Sequence, residues 1–222
     1  MTFYYSRLFL FLWVPFISFS QITDDVIVEP SLNISWHNNA RWSFNTAISE
    51  RNRTQGSFEA LHIQASQFAS YEVGFYSQLG VGVMYRELFD DLRPEEVRFS
   101  EQYVYTRKYN ALKIAHRLRW DQRLRGDRTT HRWRYRFSSS LPLNGFATDA
   151  SEFYLTASLE TLFIAERDQR PGYDQRFSLG IGKQLSNQLK LQFVTTYRLE
   201  DFTAHTDRLL FLNIGGIMLF YK

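Results

Sequence analysis

The chain has no cysteine, so disulfide staples, thiol nucleophiles and Cys-ligated metal centres are excluded. Proline and glycine are sparse, 5 and 11 in 222 residues, too few for a collagen-like or low-complexity chain. No segment beyond the first twenty residues reaches the run of about 18 apolar residues that a membrane-spanning helix needs. A large charge excess is missing too. Lys and Arg number 26 against 23 Asp and Glu, a net charge of +3. That balance is too slight to point to nucleic acid, and the arginines and aromatic rings fall on opposite strand faces, which does not make a stacking platform for single strands.

Aromatic residues are abundant at 17% of the chain, with 20 Phe and 13 Tyr. They suit a structure that sets rings at an apolar boundary or in many cross-strand pairs. The length fits one domain. The clearest pattern lies between Ala111 and Ser140. Split at Gly126–Thr129, this stretch gives two alternating strands. Ile114, His116, Leu118, Trp120, Gln122 and Leu124 share one face of the first, and Arg117, Arg119, Asp121, Arg123 and Arg125 share the other. In the second, His131, Trp133, Tyr135 and Phe137 lie opposite Arg132, Arg134, Arg136 and Ser138. The hairpin therefore has one mostly apolar wall and one wall of guanidinium groups.

The first twenty residues carry a single charge, Arg7, followed by LFLFLWVPFISFS. That run has the length of a signal-peptide core and is short for a spanning helix. The expected organisation is a signal peptide over 1–20, cleaved at Ser20/Gln21, and one domain over 21–222; an uncleaved anchor is the alternative. A mature chain without an apolar helix enters a membrane only as a closed barrel.

Period-2 segments continue along the chain at Trp42–Ile48, Phe58–Phe68, Phe75–Glu87, Glu96–Arg107, Glu152–Phe163, Tyr173–Lys183, Gln188–Leu199 and Arg208–Tyr221. With the central hairpin these make ten strands, and Val26–Trp36 is an eleventh candidate. An even number would place both termini at one rim. Eleven therefore implies a hidden twelfth strand, sought between Phe58 and Glu87, or an N-terminal piece that pairs without spanning. Glu101 falls on an apolar face, which suggests a bulge or a position near the rim. Leu141–Ser151 is long for a turn at the rim where this parity puts it.

The expected fold is all-β: an antiparallel up-and-down transmembrane β-barrel of about 10–12 strands. Strand lengths of about 10–13 residues match a tilted bilayer crossing. Longer polar connections at Leu88–Glu95, Glu166–Gly172 and Asp201–Asp207 contrast with a tight one at Ser186-Asn187, and the chain ends on LLFLNIGGIMLFYK, a terminal aromatic strand of the outer-membrane kind. A secreted lipocalin-like barrel or a β-sandwich also alternates, and periodicity does not say which face is interior.

Several short motifs recur in a fixed order: Glu50-Arg51; Glu96-Val97-Arg98 with Gln102; His116-Arg117-Leu118-Arg119; His131-Arg132-Trp133-Arg134-Tyr135-Arg136; Leu141-Pro142-Leu143; Glu160 with Phe163; and Arg176 with Leu179-Gly180. The series resembles a bacterial outer-membrane family, domain-of-unknown-function family 2490, across nearly all of the expected mature chain. The resemblance implies an outer-membrane barrel and brings no activity with it.

No histidine begins a His-x-Ser arrangement on one strand face of the kind a lipid hydrolase would need, so no catalytic residue is expected; a triad across strands is the alternative. His205 with Asp201 and Asp207 reads as a solvated loop rather than a metal site, and Asp90, Asp91, Glu95 and Glu96 read as an acidic loop rather than a site for divalent ions between headgroups. No cofactor or metal is expected.

If the apolar faces point outward, the lumen receives Arg98, Arg117, Arg119, Arg123, Arg132, Arg134, Arg136, Arg176, Lys190 and Arg198 against Glu96, Asp121, Glu160, Asp174 and Glu200. The first reading is a structural ion-pair network. A small anion-attracting pore or vestibule is the second, and surface attachment through loops is the third. Expected partners are outer-membrane lipids, lipopolysaccharide and the barrel-assembly machinery, with no nucleic acid; the sequence sets no oligomeric state.

Overall fold

The computed structural model describes residues 23–38, 41–54, 58–90, 94–204 and 206–221. The expected signal segment and its cleavage point lie outside these residues. Eleven strands follow one another: β1 (Asp25–Asn38), β2 (Trp42–Arg53), β3 (Glu59–Gly74), β4 (Ser77–Leu88), β5 (Glu96–Tyr109), β6 (Leu112–Arg125), β7 (Arg128–Pro142), β8 (Phe153–Glu166), β9 (Gly172–Gln184), β10 (Leu189–Glu200) and β11 (Asp207–Tyr221). They form a closed barrel in which every sequential pair is antiparallel.

Closure resolves the strand-count problem in a way that alternation alone did not. β1 spans the full wall and pairs with β11 in parallel, from Asp25↔Leu209 to His37↔Tyr221. No further strand lies between Phe58 and Glu87, because β3 and β4 meet across the short turn at Phe75 and Tyr76. With an odd number of strands the first and last run the same way, so the seam must be parallel, although such ladders are slightly weaker per residue. The start of the seam is clamped by main chain and side chain: Asp24 N–H donates to the Arg208 carbonyl at 2.8 Å, and Arg208 N–H donates to Asp24 Oδ2 at 2.7 Å.

Alternation divides the wall by chemistry. Leu32, Ile48, Leu79, Val81, Val83, Phe99, Leu118, Phe137, Leu159, Phe177, Leu179, Ile181, Leu191, Phe193 and Ile214 are exposed on the outer face, whereas Glu96, Asp121 and Glu160 are buried on the inner one. The sequence left the interior face open; it is the charged one. Some apolar side chains also point inward and are buried, namely Ile27, Met84, Leu162 and Phe211. Two inward glycines make room for rings: a Cβ on Gly82 would collide with Phe68, and one on Gly182 with Tyr154.

Glu101 departs from the sequence expectation. No register shift interrupts β4·β5 or β5·β6, so it sits opposite Val81 and Trp120 on the outer face, exposed and well inside β5. The reason lies on the inner face. A bulge that turned Glu101 inward would flip Glu96 and Arg98, on one side of it, against Ser100 and Gln102 on the other.

One rim carries the connections 54–58, 89–95, 126–127, 167–171 and 201–206; the other carries 39–41, 75–76, 110–111, 143–152 and 185–188. The long turn at 143–152 is braced internally. Glu152 accepts hydrogen bonds from Asp149 N–H at 2.9 Å and Asn144 Nδ2 at 2.8 Å, and these hold its carboxyl below its usual range. Phe146 and Thr148 from the same turn border the lumen, which gives its length a structural purpose.

The parallel seam can be checked directly. Ser31→Cys paired with Gly215→Cys occupies a register position and should cross-link on mild oxidation, whereas Ser31→Cys with Leu209→Cys should not. The opposite result would show that the barrel closes otherwise.

Candidate functional site

The lumen is organised around five carboxylates. Glu96 at the start of β5 is wholly buried and receives Arg86 at 3.4 Å from β4, Arg98 from its own strand, and Arg123 and Arg125 at 3.2 and 2.6 Å from β6. Glu160 on β8 gathers Arg117 at 3.0 Å, Arg136 at 2.7 Å and Arg176 at 3.4 Å, from β6, β7 and β9. Asp121 accepts Ser100 Oγ–H at 2.7 Å, and Arg134 Nη2 stands 2.8 Å from its other oxygen without the alignment of a hydrogen bond. Asp174 lies 3.5 Å from Arg132 and 3.4 Å from Arg176, and also accepts the Asp201 main-chain N–H. Glu29 on β1 takes Arg51 at 2.7 Å and Asn213 at 3.0 Å.

Register explains why these acids are needed. On β6 and β7 the inward pairs Arg119↔Arg134 and Arg117↔Arg136 set guanidinium groups directly opposite each other. Like charges opposed in this way are destabilising. Asp121 relieves one pair through Arg134, and Glu160 relieves the other by taking both Arg117 and Arg136. Arg119 has no ion pair among the described residues; it donates to Gln102 Oε1 at 2.7 and 3.2 Å and lies over the Phe68 ring at 4.6 Å. Arg198 stacks on Phe211 at 3.4 Å, and its nearest carboxylate, Glu200, is 4.0 Å away. The Nε–H groups of Arg98, Arg132, Arg134 and Arg198 are buried and meet no acceptor.

All fourteen residues that the sequence placed in the ion-pair network face the lumen: Glu96, Arg98, Arg117, Arg119, Asp121, Arg123, Arg132, Arg134, Arg136, Glu160, Asp174, Arg176, Arg198 and Glu200. They do not form one cluster. Glu96 anchors one group near a rim, Glu160 and Asp174 share Arg176 as a second, and Glu200 sits at the edge. Sequence reasoning missed the Glu29–Arg51 pair because it ended the second strand at Ile48. The strand continues past a register shift at Arg51/Asn52 to Arg53.

Two chambers flank the arginine layer. One, of about 1280 Å³, opens toward the rim of Asp90 and Asp201 and contains most of the charged residues. The other, of about 1220 Å³, opens toward the rim of Ala111 and Phe146 and is lined largely by Ser, Thr, Asn and Gln. Glu29, Ser66, Phe68, Arg119, Arg136, Arg176 and Arg198 border both and form the waist between them.

His116 and His131 lie on the outer face. His116 Nδ1 is 2.9 Å from the Tyr135 hydroxyl, and His131 stacks on Trp120. Among the described residues no group of three or more His or acidic side chains is placed to hold a metal ion. His205 and residues 91–93 lie outside the described residues, so the two loop readings that involve them stand where the sequence left them.

A family model described as Protein of unknown function (DUF2490) matches residues 30–209. No curated protein and no solved structure matches.

The burial of the acids predicts a graded response to neutralisation. Glu96→Gln and Glu160→Gln should each lower unfolding stability by about 3 kcal/mol or more, because each strands several buried guanidinium groups. Glu59→Gln, at an exposed pair, should change it by less than about 0.5 kcal/mol. Denaturant or thermal unfolding of the three variants checks this, and equal stability in all three would refute the keystone role of the acids.

Proposed function

The chain belongs to the family described as Protein of unknown function (DUF2490), and we propose that it is a bacterial outer-membrane barrel, without enzymatic activity, whose ion-paired lumen is closed to large solutes. The observation that carries this reading is the inverted wall. Large apolar side chains are exposed around the whole outer surface, while buried charge fills the inside. A water-soluble barrel would leave an apolar surface far beyond the few hundred Å² that soluble monomers expose. Aromatic groups sit at both ends of that surface, with Trp36, Phe44, Trp42 and Tyr71 near one rim and Phe163, Tyr173 and Phe202 near the other, as interfacial girdles do. In this reading the rim of 54–58, 89–95, 167–171 and 201–206 is extracellular, because outer-membrane barrels place their longer loops there and this rim carries every connection of five residues or more except 143–152. The lipids and lipopolysaccharide of that membrane are its surroundings, and the barrel-assembly machinery inserts it.

The waist supports closure to large solutes. Arg136 and Arg176 are held there by Glu160, and Phe68 and Arg119 stack beside them. Eleven strands give a bore far narrower than the 16–18 strands of aqueous porins. A second reading, attraction of small anions, is favoured by the chamber at the 143–152 rim. Lys108, Lys113 and Lys190 line it, and none makes an ion pair among the described residues. The non-enzymatic reading is supported by His116 and His131, which lie on the outer face and contact rings and a tyrosine hydroxyl rather than a serine.

Two measurements test the location. The protein should fractionate with outer-membrane markers and migrate heat-modifiably on gels; folded protein recovered from the periplasm without detergent would refute it. In lipid bilayers Glu101→Leu should raise stability by on the order of 1 kcal/mol, since it removes a carboxylate from the lipid face. An outer face that met water would give no gain.

For closure and catalysis, planar-bilayer recordings should show at most small, anion-preferring conductance. Purified protein should release no fatty acid from phospholipid. A porin-sized conductance would overturn the first, and a lipid-hydrolysis signal lost on replacing His116 or His131 would overturn the second.

A further inference from the structure

The chamber at the 143–152 rim differs from its neighbour in ways that folding does not require. Its wall carries Ser138, Ser140, Thr156, Ser158, Ser178 and Thr196, all of which face inward. Several of these join in short ladders: Thr196 Oγ1–H donates to Ser178 Oγ at 2.9 Å, and Gln192 Nε2–H donates to Thr156 Oγ1 at 3.1 Å. Such a surface offers both donors and acceptors to a guest.

Among the described residues that line this chamber, every charged group but Glu29 is a cation. Lys108 and Lys113 are register partners on β5 and β6, both pointing inward. Both are exposed at the mouth, where water screens their repulsion, and no carboxylate pairs with them among the described residues. Lys190 joins them from β10, with its Nζ 5.6 Å from the centre of the Tyr154 ring. Among the described residues the one acid bordering the chamber, Glu29, borders the other chamber too and is already taken by Arg51 and Asn213. Overhead, Arg119 adds a guanidinium bound only to a neutral amide. A cationic, hydroxyl-rich cavity with no free acid favours a guest that carries negative charge and hydroxyl groups together.

Shape and size agree with this. The volume, about 1220 Å³, exceeds the usual range of about 300–1,000 Å³ for small-molecule pockets, leaving room for one or two sugar rings and water. Phe146, on the long turn at the mouth, adds an exposed aromatic face of the kind on which a sugar ring lies. The arginine waist closes the far end.

We propose that this chamber is a binding site for an anionic saccharide, a sugar phosphate or sugar acid, with Lys108, Lys113 and Lys190 taking its charge and the Ser and Thr wall its hydroxyls. The proposal deepens the anion-attracting reading above and does not depend on which membrane, if any, holds the barrel. Binding therefore succeeds or fails separately from fractionation and conductance.

The test is calorimetric titration of the purified, folded full chain with glucose 6-phosphate, glucuronate, glucose and inorganic phosphate. At least one of the two anionic sugars should bind, and glucose and phosphate should each bind at least about tenfold more weakly, since each lacks one half of the recognition. Lys113→Gln and Lys190→Gln should each weaken the anionic sugar about tenfold, the scale of one charge-assisted contact. Arg53→Gln, at the opposite rim, should leave it unchanged. A preference for glucuronate over glucose 6-phosphate, or the reverse, identifies the anionic group. Failure of both sugars to bind overturns the proposal. So does phosphate binding as tightly as the sugar, or equal loss in Arg53→Gln, because either would mean nonspecific attraction to a basic lumen.

Discussion

A charge that leaves water needs a partner of opposite sign, and inside this barrel that requirement falls on very few acids. Glu96, Asp121 and Glu160 are 0–1% exposed, and each lies among arginines delivered by other strands. An isolated buried charge costs several kcal/mol, so none of these groups is stable alone. Glu96 ties β4 and β6 across β5, and Glu160 ties β6, β7 and β9 across the wall. Hydrogen-bond ladders join neighbours only. The carboxylates join strands that are not neighbours, and this gives the inside of the barrel its own connectivity.

That connectivity also explains why opposed arginines persist on β6 and β7. Taken as a hairpin, Arg119↔Arg134 and Arg117↔Arg136 repel. Within the closed barrel, Glu160 on β8 reaches both members of the second pair, and a third guanidinium arrives from β9. The hairpin is thus compatible with its sequence only when its neighbours are in place. Strand pairing and ion pairing are consistent at the level of the whole barrel rather than of the hairpin.

Alternation was legible throughout the sequence because the side-chain period of a strand is 2 and the chemistry follows it, as Leu79, Val81, Val83 and Tyr85 do against Gly80, Gly82, Met84 and Arg86. The inward residues of the site could be named on the same ground. Two kinds of information were absent. The direction of closure is a global property: nothing local to Leu32, Ile34 and Trp36 distinguishes a strand that ends a sheet from one that pairs in parallel with β11. Partners across the lumen depend on barrel curvature, so Glu160 could be placed inside, but its joint hold on Arg117, Arg136 and Arg176 could not be read from spacing. Glu101 misled for a third reason. It breaks the pattern of one face, yet the inner face fixes the register, and four well-ordered polar residues outweigh one misplaced carboxylate.

The acids are unevenly spread along the axis, and this shapes what the lumen can do. Glu96, Asp121, Glu160 and Asp174 lie at or beyond the waist on the side of Asp90 and Asp201, where they neutralise part of a dense arginine field. Among the described residues the other half holds lysines and hydroxyls, and its one acid, Glu29, borders both chambers. An anion approaching from the lysine side meets positive potential without competition from fixed carboxylates. At the waist it meets Arg136 and Arg176, already committed to Glu160 and Asp174, beside Arg119 and Arg198, which have no carboxylate closer than 4.0 Å among the described residues. To pass by way of that pair it would have to compete with Glu160 and Asp174, which also hold Arg117 and Arg132. In the proposed reading attraction outweighs transmission, and the lumen holds an anion more readily than it conducts one.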